Sequence, residues 1–364
     1  MAANNMAAMR AARLTTVFCC LLATAVAVGC GDGEDGTETG KAMTVASRPA
    51  PPPGQFPAPE GRSLKEVLEL ADKPAEVTIS PGAMVFYPGA NRYPFQITKR
   101  DGRPISEPEV AIYFSRVPEV KPGAQSKSGN KGQVAKAQAE ALEQPAFGPF
   151  PAAVESLATE PAFRSDTTSD DPKAARVVYA AEVEFPSDGE WRMAAVLRED
   201  GELSARVLTI VSVGEFTRVS GVGERAPLIH TPTAADVGGD RSQLTTRVPP
   251  DTQNEVDYAD AFGKEPIVLL FATPQFCQSR VCGSVVDVAE QVKAEYEDEA
   301  AFIHMEIYEG NDPGNEVRSQ VRAFRLPVEP WLYAIDSDGI IRAAVEGAFG
   351  VELMEEAVEA AVNR

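Results

Sequence analysis

From residue 73 to 214 short apolar runs alternate with turn residues. Glu76–Ile79, Ala83–Tyr87 and Tyr93–Thr98 are set apart by Pro81-Gly82 and Pro88-Gly89. Val110–Ser115 follows the turn Arg100-Asp101-Gly102, and Arg176–Phe185, Glu190–Leu197 and Ser204–Val213 are divided by Ser187-Asp188-Gly189 and Glu199-Asp200-Gly201. Regular short strands with Gly, Pro and Asp turns predict an antiparallel β-sandwich. Trp191 falls in a central strand and reads as core packing. Residues 117–175 break the pattern: Lys121, Lys127, Lys131 and Lys136 sit in a Gly/Ala/Gln/Ser-rich stretch. That stretch is expected to be a solvated, mobile insertion, with one further strand within Ala152–Thr159.

The period changes after a polar connection at 215–255. Pro266–Ala272 is an almost wholly apolar run, as a buried parallel strand requires. In Ser284–Tyr296 the apolar positions Val285, Val288, Ala289, Val292 and Tyr296 share one helical face. Ala301–Tyr308 reads as a second buried strand and Gly314–Phe324 as a short helix. Trp331–Ile335 and Ile340–Val345 form a hairpin around Asp336-Ser337-Asp338-Gly339, and Val351–Val362 closes as a helix. Residues 256–364 are therefore expected to be an α/β domain of order β-α-β-α-β-β-α.

Composition narrows the chemistry. The chain has 364 residues, a net charge of −20, five cysteines and two histidines. The acidic balance argues against a nucleic-acid or anionic-membrane footprint, since both need clustered Lys and Arg. Two histidines leave little for a triad hydrolase or a multi-histidine metal centre. The cysteines are the place to look.

The first thirty residues divide the cysteines. Arg10 and Arg13 precede the apolar stretch Leu14–Gly29, which ends Ala27-Val28-Gly29-Cys30. This is the pattern of a secretory signal, and the small residues before Cys30 resemble the lipobox of bacterial lipoproteins. The resemblance implies removal of residues 1–29 with Cys19 and Cys20, lipidation of Cys30, and an extracytoplasmic, membrane-anchored protein. Residues 30–72, with Pro51-Pro52-Pro53, read as a disordered tether. Only Cys277 and Cys282 then remain as a thiol pair, in a compartment where disulfides persist. The β-rich domain at 73–214 reads as an immunoglobulin-like sandwich without the antibody-type cysteine pair.

Phe271-Ala272-Thr273-Pro274-Gln275-Phe276-Cys277 resembles the strand-to-active-site run of thioredoxin-like envelope disulfide oxidoreductases. Leu326-Pro327-Val328-Glu329-Pro330-Trp331 resembles the segment that carries their cis-proline, and Asp338-Gly339 and Glu346-Gly347 fit their late turns. The resemblance implies a thioredoxin-like fold and thiol–disulfide exchange on envelope protein thiols or disulfides. Cys277 would be the attacking thiolate, stabilised at a helix N-terminus, Cys282 the resolving thiol, and Pro330 the cis-proline. No cofactor is implied.

The spacing departs from the family. Four residues, Gln278-Ser279-Arg280-Val281, separate the cysteines instead of two. Five helical steps advance about 7.5 Å, beyond the roughly 7 Å between Cα atoms that a disulfide tolerates, so either the loop bends or Cys277 precedes the helix in a non-helical turn. Arg280 between the cysteines is either placed to favour a thiolate or simply faces solvent. Val268-Leu269-Leu270 carries no acid where thioredoxin itself has one beneath the pair. Two alternatives stay open: Cu(I) or other metal binding by Cys277, Cys282 and His304, or a non-catalytic envelope binding module with a structural disulfide. Pro274, three residues before Cys277, stands against a peroxidase.

Overall fold

The computed structural model describes residues 45–119, 129–214, 219–277 and 279–363. Cys30, the expected leader and the first part of the expected tether lie outside them. The first part of the chain contains α1 (Leu64–Leu68), β1 (Lys73–Pro74), β2 (Thr78–Pro81), β3 (Gly89–Thr98), β4 (Glu109–Arg116), α2 (Gly129–Glu140), β5 (Ala146–Ser156), α3 (Asp166–Ser169), β6 (Val177–Phe185), β7 (Gly189–Glu199) and β8 (Glu202–Val213). The second contains α4 (Tyr258–Ala261), β9 (Ile267–Phe271), α5 (Cys282–Tyr296), β10 (Ala301–Met305), α6 (Ser319–Phe324), β11 (Trp331–Ile335), β12 (Ile341–Glu346) and α7 (Val351–Val362).

The first eight strands join in the order β1-β8-β7-β4-β5-β6-β3-β2. β5 is the splice: Ala146–Pro151 pairs with β4, and Ala152–Ser156 pairs with β6. Alternate residues of both strand groups meet in one core that includes Phe95, Phe114, Tyr179, Phe185 and Trp191. Phe114 stacks on Phe147 and Phe150 of β5 and meets Trp191 edge-on. This rejoins the sheet at residues expected to be a mobile insertion. The lysine-rich composition concealed β5 because its apolar positions, Phe147, Phe150, Ala152 and Val154, come after the polar run. The expected strand Ala83–Tyr87 is instead irregular. The Met84 and Val85 N–H groups donate to the Glu346 carboxylate, which withdraws them from any β-ladder.

Part of the stretch read as a tether is also ordered. Ser63 and Glu66 form a capping box that starts α1, and Phe56, Leu64 and Val67 are buried against Tyr113, Ala194 and Val196 on the outer face of the sheet. Each fully buried apolar side chain of this size contributes about 1.5–3 kcal/mol, enough to fasten a short helix that could not stand alone.

The second sheet has the order β10-β9-β11-β12, with β9 and β10 parallel and β11 antiparallel to both neighbours. β9, β10 and β11 are buried throughout, which explains why their sequences do not alternate. The observed order of strands and helices is the β-α-β-α-β-β-α expected. The polar connection at 215–255 is not a free linker. Among its described residues Arg247, Asp251, Gln253 and Asn254 are buried. Arg247 Nε donates to Asp287 Oδ1 of α5 at 2.9 Å, and the Asn254 amide donates to the His304 carbonyl. These polar side chains serve the fold, so their hydrophilicity gave the opposite impression. No helix among the described residues is long and apolar enough to cross a membrane.

Candidate functional site

β9 ends at Phe271, and the chain then turns through Ala272-Thr273-Pro274 to Cys277. Cys282 is the first residue of α5. Between them Arg280 adopts a left-handed conformation, φ 59°, and its N–H donates to the Cys277 carbonyl at 3.3 Å. This non-helical turn shortens the path, so the two Cα atoms lie 5.9 Å apart and the sulfurs are joined in a disulfide. The five-residue separation that a helix could not bridge is bridged because Cys277 stands before the helix.

Cys282 is fully buried, and Cys277 is 6% exposed. Both belong to a hydrophobic cluster with Val281, Val285, Leu157, Ala175 and Val178, so residues of the β-rich part cover the pair. The cover is fixed by polar contacts. Ala175 N–H donates to the Arg280 carbonyl at 3.1 Å, Ser284 Oγ donates to the Ala175 carbonyl at 3.0 Å, and the Gln96 amide donates to the Ser279 carbonyl at 3.1 Å. Ser165 Oγ donates to Asp287 Oδ2 on α5. The side of Cys277 left open lines a cleft of about 580 Å³ with Asp166, Thr168, Asp171, Pro274 and Arg280.

A carboxyl approaches the pair from outside β9. Glu329 Oε2 lies 3.8 Å from Cys282 Sγ. Burial pushes the Glu329 carboxyl up to about 8, a hydrogen bond from the Thr273 backbone opposes this, and the charge of Glu306 adds to it. Glu329 is followed by Pro330 across a cis peptide bond, immediately before β11. The sequence carried a signal for Glu329: it is the one acid in Leu326-Pro327-Val328-Glu329-Pro330-Trp331.

His304 lies mid-strand in β10 and is buried. Its Nδ1 is 2.8 Å from Asp251 Oδ2, and its Nε2 is 3.1 Å from the Ala272 carbonyl. Both ring nitrogens face acceptors, so both donate and the ring is an imidazolium. Burial opposes that charge, but the Asp251 carboxylate outweighs it and raises the His304 pKa, while His304 lowers that of Asp251 against the same burial cost. The ring thus has no lone pair directed at the cysteines. Among the described residues no group of three His, Cys, Asp or Glu side chains is placed to hold a metal ion.

No family model matches the chain, and no curated protein matches it. A solved structure, a thiol:disulfide interchange protein of the thioredoxin family from Chlorobium tepidum TLS, aligns with 40% of this chain and 99% of its own, at 16% identity and a TM-score of 0.26.

Proposed function

We propose that the chain is a thioredoxin-like thiol–disulfide oxidoreductase, anchored to a bacterial membrane through lipid on Cys30, whose Cys277–Cys282 pair exchanges with thiols and disulfides of envelope proteins. In this reading its β-rich part is an immunoglobulin-like sandwich that carries the redox half. The observation that supports the chemistry best is the disulfide at the N-terminus of α5, with Cys277 at a cleft and a carboxyl beside Cys282.

The reaction follows from that placement. A substrate thiolate attacks Cys277 Sγ through the cleft. The Cys277–Cys282 bond breaks, a mixed disulfide forms, and the electron pair leaves on the Cys282 sulfur. Glu329, neutral below about pH 8, gives that thiolate its proton. A second substrate thiolate then attacks the substrate sulfur of the mixed disulfide, which releases oxidised substrate and leaves Cys277 as a thiolate favoured by the helix terminus. The same steps in reverse reduce a protein disulfide. Pro330 has no N–H, so it places no backbone donor against the reacting sulfurs.

Dithiol-driven reduction of insulin by the full chain tests this. Turnover is expected in the wild type and absent in Cys277→Ser. A wild type with no turnover would reject the reading. The burial of both sulfurs in an apolar cluster favours a second reading, a structural bond, in which reduction lowers stability without turnover.

A further inference from the structure

The ion pair that holds the cysteine turn comes from the β-rich half. Asp171 lies between α3 and β6, and its Oδ2 accepts from Arg280 Nη1 at 2.7 Å. Its Oδ1 accepts from the Lys173 N–H at 2.9 Å, so the carboxylate is held on both oxygens. Arg280 is in turn fixed through its carbonyl by Ala175. The guanidinium therefore points to a partner outside the redox half, although it lies between the cysteines in sequence.

The charges around Cys277 make this pairing consequential. Asp166, Asp170 and Asp171 line the cleft from the covering segment. Glu329 stands on the far side, beside Cys282. His304 and Asp251 neutralise each other, Glu306 accepts from the Thr246 N–H, and Arg247 is engaged by Asp287 of α5. Arg280 is the one cation among the described residues that line the cleft.

We propose that Asp171 is a positioning residue for this exchange: by engaging Arg280 it withholds the guanidinium charge from Cys277, so the β-rich half sets how strongly the reduced pair is favoured. This rests on the reading of Cys277 and Cys282 as a redox pair. Neutralising Asp171 removes the carboxylate paired with Arg280 in the cleft that Cys277 also lines, which makes the local charge more positive, favours the Cys277 thiolate and makes the couple more oxidising. The Arg280 side chain is 56% exposed and that of Asp171 21% exposed, so solvent screens part of the effect.

The test is the equilibrium of the full chain with dithiothreitol, together with the pH dependence of Cys277 alkylation. Asp171→Asn keeps the hydrogen-bond acceptor and removes the charge. It is expected to shift the equilibrium toward the dithiol by about tenfold, roughly 30 mV for a two-electron couple, and to move the alkylation profile to lower pH. Asp171→Glu is expected to restore both, and Arg280→Gln to abolish the effect of Asp171→Asn. An equilibrium unchanged within about twofold of wild type, or a shift that persists with Arg280→Gln, would overturn the proposal. The equilibrium is measurable even where insulin turnover is absent, so failure here is distinct from failure of the oxidoreductase reading.

Discussion

Glu329 Oε2 stands 3.8 Å from Cys282 Sγ. The loop before β11 thus places a carboxyl against the buried sulfur at the start of α5. With its pKa raised to about 8, this group can give or take a proton near neutral pH. Glu329→Gln is expected to slow opening of the disulfide by small thiolates about a hundredfold. Per thiolate, the wild-type rate should decline above about pH 8, where Glu329 has lost its proton. The Gln variant should lack that limb in stopped-flow measurements.

The same shift has a consequence for stability. A carboxyl whose pKa rises from 4.5 to about 8 on folding contributes stability that is intact below pH 4.5 and is lost as pH rises through 8. Denaturant titrations across that window should show a shallower decline for Glu329→Gln than for wild type.

The buried His304–Asp251 pair works in a different window. The His304 contribution is complete below pH 6.5 and is lost as pH rises through about 9. The Asp251 contribution is complete above pH 3.8 and is lost as pH falls through about 2. Asp251→Asn removes the counter-charge while the imidazolium still faces the Ala272 carbonyl. A loss of about 3–5 kcal/mol near pH 6 is expected, the usual cost of stranding one partner of a buried pair. Urea unfolding of the variant at that pH measures it.

Gly347 has φ +82°, and a Cβ there would meet the Gly82 carbonyl oxygen at 2.4 Å. Its N–H also donates to the Pro330 carbonyl at 2.9 Å. The glycine therefore lets the β2–β3 region approach the loop beside the cysteine pair. Gly347→Ala is expected to cost about 1–3 kcal/mol, read as a lower denaturation midpoint.

The two cysteines close a short loop, so their bond constrains the unfolded chain only modestly. By the loop-entropy relation, reduction should cost about 2 kcal/mol. Unfolding of Cys277→Ser/Cys282→Ser against wild type checks this. A fold that collapsed on reduction would speak for a structural bond.

The elements of residues 256–364 were legible because burial and periodicity agree there. β9 is five consecutive apolar residues, and α5 shows one clear apolar face. The cysteine turn was legible in outline, since helix geometry required either a bend in the loop or Cys277 ahead of α5. Glu329 stood out only as the one acid of its segment, because its proximity to Cys282 arises from the loop before β11, remote in sequence. Asp171 and the buried polar residues of 245–254 escaped for a related reason: their partners, Arg280, Asp287 and His304, lie on other elements, and composition alone marks such residues as loop. β5 was concealed by the lysine-rich run ahead of it, although Phe147 and Phe150 are the residues that stack on Phe114.

The reduction potential of the Cys277–Cys282 couple in the full chain bears most directly on whether this pair does chemistry. Exchange with envelope thiols requires a value above about −300 mV, within reach of cellular dithiols, and that is the value expected. A potential well below about −300 mV would mark a bond made to persist and would contradict the account.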